Sequence, residues 1–434
     1  MRLRDSVPTT PRAGSTRAIA AWCLFDWANS AFPTIVQTFL FSAYFTDHVA
    51  RTHAAGQTLW SLANGIAAVV IAVASPLLGA IADQGGRRKP WLFALSLISV
   101  FATAALWFVR PDAGYVLFAL GAMGLATVGF ELGTAFYNAI LPDLVSQDRV
   151  GRVSGWGWGV GYAGGLACLA LSYLVFVAPD PPHFGLDPAQ AEHVRIVMPL
   201  AALWFALFAL PLFLWVPDLP ASGLALGAIV RGGVAALGST LRQVRRHGNI
   251  IRFLLAKMIY IDGLNTLFIV GGAYAAGAFS MSIDEVLIFG IILNVTAGAG
   301  AIGFAWVDDW IGAKPTILIA LAAIALLGGG LLFVEGKLWF YILAAGIGIF
   351  LGPAQAASRS LMARLAPPAH RTEFFGLYNL AGKVTTPLGP FLVSLITFLS
   401  DSQRAGMATI IPFIVIGALL LTAVQEPRLG AGPS

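Results

Sequence analysis

The chain alternates long apolar runs with short polar stretches. The runs lie near 18–46, 58–82, 91–109, 114–140, 153–178 and 194–216, and again near 250–278, 284–306, 315–334, 338–364, 374–400 and 404–424. Crossing a hydrocarbon core about 30 Å thick takes about 20 helical residues, so each run is long enough to span a membrane. A transmembrane barrel would instead show short strands of alternating polarity, which these runs lack. The pattern predicts an all-α membrane protein with twelve transmembrane helices.

Polar residues interrupt several of these runs, and their placement is the second signal. Asp26 sits early in the first run, within Asp26-Trp-Ala-Asn29-Ser-Ala-Phe32. A charge at the centre of a bilayer costs roughly 3 kcal/mol on insertion scales, so Asp26 must face protein or water. The same pattern returns as Asp262-Gly-Leu-Asn265-Thr-Leu-Phe268, 236 residues later. Other acids and bases at membrane depth are Glu131, Lys257, Arg359 and Lys383. Three acids and three bases balance, as expected if buried charges pair. Helical spacing gathers the polar groups into stripes. Asp26, Asn29, Ser30, Pro33 and Gln37 share one face, as do Asp262, Asn265 and Thr266; Glu131, Thr134 and Asn138; Gln355, Ser358 and Arg359; and Asn379, Lys383 and Thr386. Pro33 and Pro387 are expected to kink their spans.

Composition agrees with this reading. The 434 residues are 58% hydrophobic and 11% charged, against about 25% charged in soluble domains. The net charge of +5 is scattered over short loops, so nucleic acid is not an expected partner. Placing both termini inside puts Arg2, Arg4, Arg12, Arg17, Arg87, Arg88, Lys89, Arg149, Arg152, Arg231, Arg242, Arg245, Arg246, Arg252, Lys314, Arg364, Arg371 and Arg428 on the cytoplasmic side. Only Arg51, Arg110, Arg195, Lys337 and Arg404 then face outside, a bias that predicts cytoplasmic termini. The polar start and the long first run argue against a cleaved signal peptide. Cys23 and Cys168 fall in separate spans without metal-ligand spacing and are expected as buried thiols. No metal or cofactor is expected, and no Walker loop, nucleophile elbow or zinc-protease motif suggests an enzyme.

Pro217–Gly248 is the longest connection and divides the chain into 1–216, a linker at 217–248, and 249–434. Leu224, Ile229, Val230, Val234, Leu237, Leu241 and Val244 alternate there with Arg231, Arg242, Arg245 and Arg246. Either an amphipathic helix on the inner leaflet or a partly ordered linker fits. Loop motifs recur across the two parts. Gly79-Ala-Ile-Ala-Asp83-Gln-Gly-Gly86-Arg87-Arg88-Lys89 is echoed by Val307-Asp308-Asp309-Trp-Ile-Gly312-Ala-Lys314, and Arg149-Val-Gly-Arg152-Val-Ser-Gly155 by Arg371-Thr-Glu373-Phe-Phe-Gly376. Two pseudo-symmetric six-helix halves with a site between them near mid-membrane are the expected architecture.

Here the sequence resembles a known superfamily. Gly79–Lys89 is similar to the loop 2–3 signature of major facilitators, G-x-x-x-D-x-x-G-R-[R/K]. The resemblance implies that Asp83, Gly86, Arg87 and Arg88 form a conformational latch, with Gly86 permitting a tight turn. The segments at 25–32, 136–144, 151–165, 358–368 and 373–383 resemble the vacuole-effluxer branch, which includes the autophagy-linked amino-acid effluxers of fungal vacuoles and many bacterial proteins. In the fifth span Gly157, Gly161 and Gly165 recur every fourth residue, which favours close helix packing. Tyr162 stands where the similar antiporter motif places proline. The aromatics Trp156, Trp158, Trp204 and Trp215 are expected in interface belts or packing.

The resemblance implies transport, and for the fungal members export of amino acids; with the buried charges of both signs, a secondary transporter is expected, working by alternating access on a small polar or zwitterionic, amino-acid-like metabolite and coupled to protons. Substrate contacts are expected from Asp26, Asn29, Gln37, Asp262, Asn265, Gln355, Arg359, Asn379 and Lys383. A carboxylate in a low-dielectric pocket can hold a proton at physiological pH. Glu131 is the first such candidate, with Asp26 and Asp262 beside it. A drug or toxic-compound exporter of the same fold is the alternative. A multi-pass monomer in a bacterial plasma membrane, in contact with substrate, protons and lipid, completes the expectation.

Overall fold

The computed structural model describes residues 14–242 and 247–427. Of the positions that orient the chain and shape its linker, Arg2, Arg4, Arg12, Val244, Arg245, Arg246 and Arg428 lie outside the described residues. The architecture is helical, and no strand occurs among the described residues. Eleven helical stretches there are long and apolar enough to cross a membrane.

The first apolar run is helical too, but not as one helix. The segment α1 (Thr16–Asn29) starts where the Ser15 hydroxyl accepts the Ala18 N–H at 3.2 Å. It ends just before Pro33, which opens a π-helical segment, Pro33–Phe39. Proline has no N–H to offer the Asn29 carbonyl one turn back, so the ladder breaks there. Then follow α2 (His53–Gly85), α3 (Lys89–Ala105), α4 (Val116–Leu144), α5 (Val150–Ser172) and α6 (Val197–Trp215). The linker contains a helix, α7 (Leu226–Arg242). The chain continues with α8 (Gly248–Phe279), α9 (Ile283–Gly303), α10 (Ala305–Ile311), α11 (Ala313–Leu331) and α12 (Lys337–Leu365). It closes with α13 (Arg371–Lys383), α14 (Leu388–Ser400) and α15 (Ile410–Thr422).

Two departures from the expected pattern have local causes. The run 374–400 is split into α13 and α14 at residues 384–387, with Pro387 as the residue preceding α14. Asp308 and Asp309 belong to α10 rather than to a loop, because the helix reaches Ile311 before Gly312 turns the chain at φ +98°. Gly86 makes the equivalent turn after α2 at φ +83°, a backbone conformation that side chains disfavour.

Small residues decide how closely the helices approach. On α5, an added Cβ at Gly157 would lie 2.5 Å from the Asp26 carboxylate, and one at Gly161 would lie 2.9 Å from the Ser30 hydroxyl. Gly155, on another face, meets Ala305 of α10. The stripe thus seats α5 against α1 on one side and against α9 and α10 on another, which is the close packing the spacing suggested. The α2–α13 crossing is built similarly, with Gly376 against the backbone of Ser75 and Pro76. The linker helix α7 rests on the end of α2, where Gly233 touches Ile81 and Ile229 lies beside Gly85. Cys23 and Cys168 are buried free thiols.

Overpacking a tight contact typically costs about 1–3 kcal/mol. Gly376→Val is therefore expected to lower the thermal unfolding midpoint of the detergent-purified protein. Gly65→Ala, on an open part of α2 with nothing within 4 Å, is expected to leave it unchanged or slightly higher. Equal behaviour of the two variants would contradict the packing described.

Candidate functional site

Arg359 of α12 is the hub of the charged interior. Its side chain is buried, and it meets Asp26 of α1 at 2.9 Å. Its Nε donates to the Ser154 hydroxyl at 2.9 Å, and its Nη2 to the Ser154 carbonyl at 2.7 Å. A longer bond of 3.4 Å reaches the Asn138 side chain on α4. Aromatic faces fill the remaining space: the guanidinium carbon lies 4.7 Å from the Trp22 ring centre and 5.7 Å from those of Tyr137 and Trp158. Trp22 and Tyr137 stack at 4.5 Å and exchange hydrogen bonds with each other's backbone carbonyls. A planar guanidinium suits this place because it can fork to several acceptors while stacking on rings. Gly157 leaves the room, since a Cβ there would press on Asp26 and Arg359 together.

A second pair lies between α4 and α13. Glu131 and Lys383 meet at 2.6 Å, and the Asn379 amide donates to the Glu131 carbonyl at 2.8 Å. The Lys383 side chain is 31% exposed and that of Glu131 14%, so this pair is the more accessible of the two.

The last acid and base do not pair, which corrects the expected balance of three with three. Lys257 and Asp262 both belong to α8 but address opposite sides of the break in the α13–α14 run. Lys257 is buried, donates to the Tyr378 carbonyl at 3.0 Å, and sits 3.7 Å above the Tyr378 ring centre. It forms no ion pair among the described residues. Asp262 is fully buried and accepts the Gly389 N–H of α14 at 3.1 Å, while its second oxygen and the neighbouring Thr266 hydroxyl have no partner. A carboxylate is stabilised at a helix N-terminus by the orphan N–H groups and the helix dipole. The break in the helix therefore supplies Asp262 with a partner other than lysine.

The other predicted site residues are placed less decisively. Asn29 is buried and Asn265 half-buried, and neither side chain makes a hydrogen bond among the described residues. Gln37 donates to the Thr127 hydroxyl at 3.1 Å. Gln355 is half-buried on α12. Trp204 stacks on Trp27 at 5.6 Å, Trp156 packs edge-on against Trp306, and Trp215 lies under Arg17, all packing roles. Sequence reasoning passed over Trp22, Tyr137, Ser154 and Tyr378. One signal was available: a Tyr-Asn dipeptide occurs at 137–138 and again at 378–379, and each touches one of the buried bases or its partner.

The basic end of the molecule is clasped twice by the same device. The Asp83 carboxylate accepts the N–H groups of Thr372 and Glu373 at 3.2 and 2.9 Å, capping α13. The Asp309 carboxylate accepts the Arg152 N–H at 3.2 Å near the start of α5 and pairs with the Arg152 guanidinium at 3.3 Å. Around the first cap, Arg88 binds Asp143, the Ala139 carbonyl and the Thr372 hydroxyl, and Arg371 also binds Asp143. Around the second, Arg364 binds Asp308, Asp309 and Glu426. The recurrence extends further: Asp218 accepts the N–H groups of Arg88 and Lys89, and Glu426 those of Ala313 and Lys314. Arg87 differs from its neighbours, being exposed and without an ion pair among the described residues. Gly86 turns against the Pro220 carbonyl of the linker. Hydrogen bonds and ion pairs between residues before 217 and after 248 run from the Arg359 and Glu131 levels to this end; among the described residues none joins the two parts at the opposite end.

The chain is similar to several known proteins. Residues 48–429 match the family described as vacuole effluxer Atg22 like. The chain is 28% identical over 420 residues to an uncharacterized MFS-type transporter of Bacillus subtilis (strain 168), YxiO, covering 95% of each. It is 27% identical over 300 residues to autophagy-related protein 22 of Cryptococcus neoformans var. neoformans serotype D (strain B-3501A), covering 64% of this chain and 53% of that one. The chain thus spans about half the length of that fungal relative. Among solved structures it superposes on the major facilitator FucP in its outward conformation with TM-score 0.75 at 10% identity, covering 94% of this chain and 99% of that one. It superposes on the proton:xylose symporter XylE with TM-score 0.68 at 15% identity, covering 94% and 96%. At such identities these two likenesses speak for the fold alone.

Removing one partner of a buried ion pair typically costs about 3–5 kcal/mol, because the other charge is stranded. Arg359→Met is expected to lower the unfolding midpoint sharply, and adding Asp26→Asn to recover part of the loss. A double-variant cycle in which the two effects simply add would show that the pair is not coupled.

Proposed function

The chain belongs to the Atg22-like vacuole effluxer family of major facilitator transporters, and on that premise we propose that it is a secondary active transporter. Its substrate is a small polar or zwitterionic, amino-acid-like metabolite, moved by alternating access and coupled to protons. Two six-helix halves, 1–216 and 249–434, rock about the charged interior, with 217–248 as the cytoplasmic linker. The recurrence of both clasps, Asp83 with Asp309 and Gly86 with Gly312, supports that division. The membrane is a bacterial inner membrane, with the basic end and both termini cytoplasmic, in line with the excess of Lys and Arg there.

The observation that carries the reading is that both membrane-depth ion pairs, Asp26–Arg359 and Glu131–Lys383, join residues of the first half to residues of the second. A substrate passing between the halves meets these groups, and rocking changes their separation. Glu131 is the acid of the more accessible pair, and we assign the coupled proton to it first. Asp26 stands in the same relation to Arg359, with more compensating contacts around its base. Asp83, Gly86 and Arg88 then act as the latch of the cytoplasmically closed state, which makes the present arrangement outward-facing. Asp83 contributes through its cap on α13 and Arg88 through Asp143 and Thr372.

Proteoliposome flux tests this. With a pH gradient, wild-type protein is expected to accumulate at least one amino acid or small metabolite from a broad panel. Glu131→Gln is expected to lose gradient-driven accumulation while keeping exchange of labelled for unlabelled substrate. No flux of any panel member, or full gradient-driven accumulation by both Glu131→Gln and Asp26→Asn, would refute proton-coupled transport through these acids.

A further inference from the structure

Counting charge around Glu131 exposes a surplus. Lys383 and Lys257 are both bases, but Glu131 pairs with Lys383, and Lys257 makes no ion pair among the described residues. The Lys257 ammonium approaches Gly382, the residue before Lys383, so closely that an added Cβ would lie 3.0 Å from Nζ. Of its three donors one is used, on the Tyr378 carbonyl, and a Tyr378 face covers another side. Asp262, on the same helix, is not its counter-ion, because its oxygens are turned to Gly389 and Thr266. Burying an ammonium without a counter-charge is costly, and a ring face and one carbonyl offset only part of the cost. Two lysines therefore stand here with one carboxylate, and the Lys383 side chain is 31% exposed.

We propose that Lys257 and Lys383 together receive a carboxylate group of the transported molecule, and that this molecule binds as a net anion: a small organic acid or an acidic amino acid. The inference rests on the transporter reading and narrows its substrate. A monoanion cancels the surplus charge of the cluster, a zwitterion leaves it in place, and a cation adds to it. The incoming carboxylate competes with Glu131 for Lys383. Asn379, already anchored to the Glu131 carbonyl, holds the α4 side of the site in register. A side chain at Gly382 would press on the Lys257 ammonium.

The test uses the purified full chain and matched ligand pairs: lactate against lactamide, glutamate against glutamine, with leucine and putrescine as zwitterion and cation. Ligand affinity is read from thermal stabilisation as concentration is raised. A charge-assisted hydrogen bond is worth roughly twice a neutral one, so an acid is expected to bind at least about tenfold more tightly than its amide. Lys257→Met is expected to abolish that preference and Lys257→Arg to keep part of it. Because Lys257 lacks a counter-ion, the Met variant without ligand is expected to unfold no lower than wild type, the opposite of what a structural role predicts. Should Lys257→Met fail to fold, the acid and amide pairs on wild-type protein still decide. Equal binding of acid and amide, preference for leucine or putrescine, no binding of any acid, or a carboxylate preference surviving in Lys257→Met would each overturn the proposal. Liposome flux separates this from failure of the wider reading. Transport of an amide, amine or sugar leaves the transporter standing without the carboxylate receptor. Binding of acids with no flux of any solute leaves the receptor without the transporter.

Discussion

A charge inside a membrane must find its neutraliser within the protein, and most of this interior follows from that demand at Arg359. One guanidinium draws Asp26 from α1, Ser154 from α5 and Asn138 from α4, and it stacks on Trp22, Tyr137 and Trp158. Four helices are thereby held to one group. The demand also explains the glycine at 157, since any side chain there would occupy the space where acid and base meet. Replacing such a network by apolar groups can be neutral in energy, so the pairing is better read as fixing which helices meet than as adding stability.

The same demand is met differently at Lys257 and Asp262. Neither uses the other. The acid takes an N–H near the start of α14, and the base takes a carbonyl and a ring of α13. Breaking the helix at residues 384–387 creates the free polar ends that make this possible, with Pro387 helping to set the break. Pro33 marks the comparable interruption after α1, close to Asp26. In both places, irregular backbone is tolerated at membrane depth because it lies against protein polar groups. The clasps at the basic end apply the same chemistry nearer to water. Asp83 and Asp309 cap helix N-termini across the molecule, and arginines fill the remaining valences of the acids.

Much of this was readable from residue order. Apolar run length and the scarcity of charge set the helical membrane class, and eleven of the runs appear as continuous or nearly continuous spans. The paired loops were legible because Gly86 and Gly312 need positive φ and because each has an aspartate before it. The glycine stripe of α5 announced close packing through its four-residue period. Partner choice was harder. Asp26, Glu131 and Asp262 look alike in sequence, as do Lys257 and Lys383, and helical periodicity places a residue on a face without saying which helix that face meets. Trp22, Ser154 and Tyr378 went unnoticed because an aromatic or a serine in an apolar run has many bland explanations.

The chain alone therefore determined its solvent, its span lengths, the positions of its breaks and the identity of its buried charges, because these depend on local composition and on backbone chemistry. The tertiary structure decided that Asp26 pairs with Arg359, that Glu131 pairs with Lys383, and that Lys257 and Asp262 are left to a broken helix. Those choices depend on distances between residues separated by up to 333 positions. Electrostatic attraction falls with separation and is strong only in the low-dielectric interior, so it is settled by how the helices pack and not by their order.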